Sequence, residues 1–183
     1  MVKPEPKNIR VVNIVVSTSF EKAVPLEKMA ATLSNTEYNP EQFPGLVIRI
    51  KEPKTSALVF SSGKIVCTGA RTMVEVNESI KQIIKSLEKI NIKISIEPEV
   101  KIQNIVASGS VGMDLNLNVL AMKLENTEYE PEQFPGLVYK LEEAKATFLL
   151  FSNGKIVCTG TKSEEAVHSA LEKLIVNLKK VKA

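Results

Sequence analysis

The 183-residue chain has few of the side chains that carry catalysis or hold metals. It contains one histidine, His168, and two cysteines, Cys67 and Cys158. Two thiols and one imidazole fall short of the four ligands a structural metal site needs. A disulfide between the cysteines is disfavoured in a reducing compartment, and free cysteine behaves as a small buried hydrophobe. Charge of one sign is also scarce: 24 basic against 21 acidic residues leave a net charge of +3. Such an excess does not call for a nucleic-acid partner; only a clustered basic face would. No apolar run approaches the length that crosses a bilayer, so no membrane partner is expected. The opening MVKPEPKNIR lacks the apolar core of a signal peptide, which makes an intracellular protein the expectation. Residues 1–7 read as a short flexible tail.

What the chain does have is itself, twice. NTEYNPEQFPGLV begins at Asn35 and NTEYEPEQFPGLV at Asn126, 91 residues apart, and they differ only at Asn39 and Glu130. The same offset lays FSSGKIVCTGA (60–70) on FSNGKIVCTGT (151–161), and NIVVS (13–17) on NIVAS (104–108). Residues 8–92 slide onto 99–183 without a gap, with 36 identical pairs among 85. A period this long exceeds that of solenoids and propellers, so each copy is a small subdomain. A pseudo-two-fold molecule is expected, with 8–92 and 99–183 as its repeats.

Each copy reads strand, helix, several strands, long helix. IRVVNIVVS (9–17) is a β-branched run, and PLEKMAATL (25–33) has helical apolar spacing with proline near a first-turn position. GLVIRI (45–50), SALVF (56–60) and KIVCTG (64–69) follow as strands, the last two joined by a Ser-Gly hairpin signal. Thr72 and Glu75 form a capping-box pattern ahead of a helix with the stripe Val76, Ile80, Ile83, Ile84 and Leu87. In the second copy Ser163 caps the final helix, whose stripe is Val167, Leu171, Leu174, Ile175 and Leu178. The connector at 93–98 is strand-like, within NIKISIEPEVK.

Strand side chains alternate between faces. One face of each copy packs the two helices. The other shows Val15, Leu58, Phe60, Val66 and Thr68, with their counterparts Val106, Leu149, Phe151, Val157 and Thr159. A sheet with one wet face normally alternates apolar and polar, and this one does not. The second face is either buried against the other copy or kept for a ligand; composition alone leans towards burial.

With these motifs in place, the chain resembles the TATA-box-binding protein family, archaeal in type. The resemblance spans about residues 8–181 and rests on NIVVS/NIVAS, the doubled EYxPEQFPGLV and the doubled F-S-x-GKIVCTG. It implies an α+β fold, a pseudo-two-fold saddle. One curved ten-stranded antiparallel sheet would carry four helices on its convex side, with the concave side on the minor groove of AT-rich promoter DNA. No cofactor and no catalysis are implied. The family's partners are the promoter duplex, transcription factor B and, through it, RNA polymerase, which implies a nucleoid-associated cytoplasmic location. An apolar face left open would also favour self-association of the free protein.

The residues suit that role. A·T pairs show only acceptors in the minor groove, whereas G·C adds an amino donor. An apolar wall of Val15, Leu58, Val66, Val106, Leu149 and Val157 would leave that amino group desolvated and unpaired. The resemblance gives Asn13 and Asn104 donor roles, assisted by Thr68 and Thr159, near the pseudo-dyad. It makes Phe43 with Phe60, and Phe134 with Phe151, wedges at the two ends of the site, with Pro44 and Pro135 stiffening the loops. A phenylalanine in a strand is otherwise a core residue, and Phe20 and Phe148, unpaired in the repeat, are expected in the core. Phosphate contacts would come from Arg49, Lys64 and Arg71, and from Lys140, Lys155 and Lys162. Glu130, Glu132 and Gln133 lie in the loop with which the family docks transcription factor B.

Three departures stand out. Lys140 replaces a common arginine, giving a point charge instead of a fork. Ala144 stands opposite Pro53 and is expected to loosen a turn, and 108–118 is rich in Gly and Asn. Two other readings compete with promoter recognition: a nucleic-acid enzyme such as a glycosylase, and a structural protein whose second sheet face is a dimer interface. An enzyme needs a positioned acid, base or nucleophile; His168 stands on a helix opposite Asn77, and the apolar face carries no carboxylate. Lys81, Lys85 and Lys89 read as a solvated helix face.

Overall fold

The structure is a computed structural model that describes residues 2–181. The first copy contains β1 (Lys7–Ser19), α1 (Leu26–Thr32), β2 (Thr36–Tyr38), β3 (Leu46–Ile50), β4 (Thr55–Val59), β5 (Lys64–Ala70) and α2 (Met73–Lys89). The second contains β6 (Lys101–Ser110), α3 (Leu117–Lys123), β7 (Thr127–Glu128), β8 (Leu137–Leu141), a 3-10 turn (Glu142–Ala144), β9 (Ala146–Leu150), β10 (Lys155–Thr161) and α4 (Glu164–Val181). The expected ten antiparallel strands and four helices are present, in the order β2-β3-β4-β5-β1-β6-β10-β9-β8-β7.

Two compact units emerge, and they do not coincide with the repeats. One is Asn13–Gln103; the other joins the residues up to Val12 to those from Asn104 onward. β1 and β6 are each split between units. Within the first unit, β1 from Ile14 pairs with β5, and Gln103 Nε2 donates to Ser17 Oγ. Within the second, the start of β1 lies against β6, where Glu5 N donates to Val111 O at 2.9 Å. That bond and the buried Pro4 hold residues 4 and 5, within the segment read as a tail over 1–7. Its charged composition hid them, because the anchors are a backbone donor and one proline.

The cores follow the periodicities. In β3, β4 and β5 the side chains Leu46, Ile48, Ala57, Val59, Ile65 and Cys67 alternate into the buried face. α2 covers them with Val76, Ile80, Ile83 and Leu87, and Ser79 Oγ meets Thr55 Oγ1 at 2.7 Å. In the second unit α4 buries Val167, Ala170, Leu171, Leu174, Ile175 and Leu178, and Asn177 Nδ2 donates to Tyr139 Oη at 2.8 Å. Phe20 and Phe148 are 2% and 0% exposed, core residues as expected.

Proline stands beside the first turn of α1 as expected: Pro25 is its N-cap, where the missing N–H costs nothing. Several other local expectations need correction. The capping box of α2 is shifted: Glu75 N donates to Thr72 Oγ1, but the Glu75 carboxylate accepts from Arg71 N. The connector at 93–98 forms no strand. Ile94 anchors it, buried like Ile92 just before it, whereas Ile96 is exposed; beyond it Thr18 Oγ1 donates to Glu99 O at 2.7 Å. Ala144 ends a 3-10 turn closed by Lys145 N donating to Glu142 O at 3.0 Å. The short strands β2 and β7 sit inside the thirteen-residue repeat, where polar Thr-Glu gave no strand pattern.

Candidate nucleic-acid interface

The strand faces turned away from the helices are half-buried in both units. In one these are Asn13, Val15, Leu58, Val66 and Thr68; in the other, Asn104, Val106, Leu149, Val157 and Thr159. The burial of this face that composition favoured does not occur among the described residues. Alternation tells which side chains share a face but not whether anything covers it. Cross-strand pairing completes the surface with residues that the sequence reading missed. Leu58 pairs with both Val47 and Val66, and Leu149 with both Val138 and Val157. Val47 and Val138 had a legible signal, the period of two in GLVIRI and GLVYKL.

The two asparagines are held in one orientation. Asn13 Oδ1 accepts the N–H of Gly69 at 2.7 Å, and its Nδ2 donates to Thr68 Oγ1 at 3.0 Å. Asn104 repeats this, with Oδ1 accepting from Gly160 N at 2.7 Å and Nδ2 donating to Thr159 Oγ1 at 2.9 Å. A backbone N–H can only donate, so the amide must present its oxygen there and its NH2 to the open face. One N–H of each amide remains to be offered. Gly69 and Gly160, at φ +101° and +92°, sit where the strand registers slip, which aims their N–H groups at the amides.

The phenylalanines meet in pairs. Phe43 and Phe60 lie with ring centroids 6.0 Å apart and planes 64° apart, and Phe134 and Phe151 lie at 5.9 Å and 69°. Both are edge-to-face contacts. Phe43 and Phe134 are 42% and 41% exposed, against the buried Phe20 and Phe148. Two glycines that sequence reasoning overlooked make room for them. A Cβ on Gly45 would come 2.7 Å from the Phe43 ring, and one on Gly136 would come 2.7 Å from Phe134. Pro44 and Pro135 are exposed beside them.

The loop leading into each exposed phenylalanine is closed by backbone alone. Phe43 N and Gln42 N donate to Asn39 O, and Phe134 N and Gln133 N donate to Glu130 O. The single mismatch between the thirteen-residue segments therefore changes a side chain without changing the turn. Glu130, Glu132 and Gln133 are exposed, and Glu128, Glu130, Gln133 and Phe134 line a notch of about 170 Å³.

All six expected phosphate-binding cations are exposed. Arg49 is already engaged: its guanidinium pairs with Glu37 at 3.1 Å. So exposed a pair contributes little and can be exchanged for a phosphate. Lys140, in the equivalent position, makes no ion pair among the described residues. Cys67 and Cys158 are buried and free, and burial pushes both thiols up to about 11. Among the described residues no three His, Cys, Asp or Glu side chains cluster as a metal site, and no helix is long and apolar enough to cross a membrane.

Fold and face define a two-repeat α+β protein with a duplicated, half-buried apolar sheet face. The profile of the family described as "Transcription factor TFIID (or TATA-binding protein, TBP)" matches residues 8–90 and again 99–181. The chain belongs to this family, which comprises transcription factors and not enzymes. It is 50% identical to the TATA-box-binding protein of Archaeoglobus fulgidus, over 93% of this chain and 94% of that one. It is likewise 50% identical to that of Methanocaldococcus jannaschii, over 97% and 96%. The solved structure of Methanococcus jannaschii TBP superposes with a TM-score of 0.88 at 49% identity, covering 94% of this chain and 98% of that one.

Proposed function

We propose that this chain is a general transcription initiation factor that binds AT-rich promoter DNA through the minor groove and bends it. The observation that carries the reading is the pinned amide. Asn13 and Asn104 each turn a spare N–H donor onto an apolar face. Only A N3 and T O2 acceptors meet such a surface without leaving an amino group unpaired. The exposed wedges supply the bend, since an apolar ring inserted at a base step unstacks it. Exposed cations at the rim position the duplex without reading sequence.

The same reading makes Glu130, Glu132 and Gln133 the docking edge for transcription factor B, and through that factor the chain recruits RNA polymerase. Its place of action is then the nucleoid. A fluorescence-transfer bend assay on end-labelled TATA and GC-rich duplexes tests the proposal. Bending and tight binding of the TATA duplex alone are expected; equal binding to both without a bend would refute it.

A further inference from the structure

Beside the second phenylalanine pair lies a groove of about 800 Å³. Phe151 and Val157 on its wall belong to the apolar face, and Ser108 sits opposite Val157 across the ladder. Lys155, from the duplicated GKIVCTG motif, also lines it, and the start of β1 adds Asn8 and Arg10, which the duplicated motifs do not foretell. All of these residues lie in one compact unit. Arg10 is exposed, and among the described residues its side chain has no ion pair and no hydrogen bond. Lys155 is likewise an unpaired exposed cation, and no acidic residue lines the groove.

Two unpaired cations on one groove with an apolar wall create a potential that selects an anion carried on a partly apolar body. A sugar–phosphate strand has that chemistry. We propose that Arg10 is an additional DNA-backbone residue: its guanidinium grips a phosphate of the promoter duplex next to the Phe151 wedge, with the Asn8 amide as a neutral donor beside it. This rests on the DNA-binding reading above. A guanidinium fork takes a phosphate by two parallel N–H bonds. The equivalent position of the second copy holds Lys101, a point charge, so the two ends of the site grip unequally.

The test measures binding of a labelled AT-rich duplex by the full chain across a salt series, for wild type, Arg10→Ala, Arg10→Lys and Lys180→Ala. Lys180 is an exposed residue of α4 and controls for net charge. Arg10→Ala is expected to melt like wild type, because its side chain has no partner to lose. Its plot of log K against log salt should be shallower by about 0.9, one phosphate's worth. Arg10→Lys should keep the slope with weaker binding, and Lys180→Ala should match wild type. If Arg10→Ala keeps the wild-type slope, or Lys180→Ala flattens it equally, the Arg10 contact is refuted while DNA binding stands. If wild type fails to bind the duplex, the DNA reading itself falls.

Discussion

The N–H of Gly69 donates to Asn13 Oδ1 at 2.7 Å, and that one bond decides which end of the amide faces outward. The Gly160–Asn104 pair repeats it at the same distance. Asn13→Asp tests the consequence. A carboxylate still accepts from Gly69, so the fold should be kept, but a donor becomes a negative acceptor facing the acceptor atoms of the groove. Affinity for AT-rich duplex should drop at least about tenfold, in line with about 1–3 kcal/mol for a good base contact. Fluorescence anisotropy with a parallel thermal melt separates the two effects; unchanged affinity would remove the amide from the interface.

The phenylalanines divide into two classes that alanine should expose. Phe148→Ala empties a fully buried site and is expected to cost about 3–5 kcal/mol of stability. Phe43→Ala and Phe134→Ala remove rings that are 42% and 41% exposed, so they should cost far less while reducing the DNA bend. Denaturant titrations beside the bend assay read both. Comparable destabilisation by all three would make the outer rings structural.

Gly45 offers a subtler probe of the same wedge. A Cβ there would sit 2.7 Å from the Phe43 ring and 3.1 Å from Phe60, so Gly45→Ala must displace the outer ring. The bend should weaken at one end of the site, with a melting temperature close to wild type. A full wild-type bend would show that ring placement does not matter.

The thiols predict a pH effect of definite sign. Burial raises Cys67 and Cys158 from 9.0 to about 11, so the folded chain holds protons that the unfolded chain releases. Stability owed to these groups is complete below pH 9 and falls between pH 9 and about 11. Replacing both cysteines with alanine should flatten the decline in that window, as read by denaturant midpoints. At neutral pH both thiols should resist alkylation in the folded protein.

Docking of transcription factor B is tested by reversing charge on the second wedge loop. Glu130→Arg with Glu132→Arg should leave DNA binding intact, because the turn is made by backbone groups, and should abolish the ternary complex on a gel-shift. A complex of normal stability would place the docking edge elsewhere.

Much of this was legible because the chain states its plan twice. The 91-residue offset paired the amides, wedges and strands before any coordinates, and alternation assigned Leu58 and Val66 to the face opposite Ile65 and Cys67. What escaped depends on contacts distant in sequence. Gly45 matters only because two rings lie over it, and Gly69 only because a register slip aims its N–H at a residue 56 positions earlier. The connector at 93–98 misled because its alternating Ile94 and Ile96 have the side-chain pattern of a strand without a ladder partner. Phe148 was expected in the core because it has no counterpart in the repeat, and its full burial agrees.

The central claim is that the chain reads DNA from the minor groove, and an inosine substitution tests it most directly. An I·C pair lacks the guanine amino group, so its minor groove shows only acceptors like A·T, while its major groove is that of G·C. Binding should be measured on three duplexes of one length, carrying the TATA element, its I·C replacement and its G·C replacement. The account predicts that the I·C duplex is bound and bent nearly as well as TATA while the G·C duplex is rejected. Rejection of the I·C duplex together with G·C would contradict it.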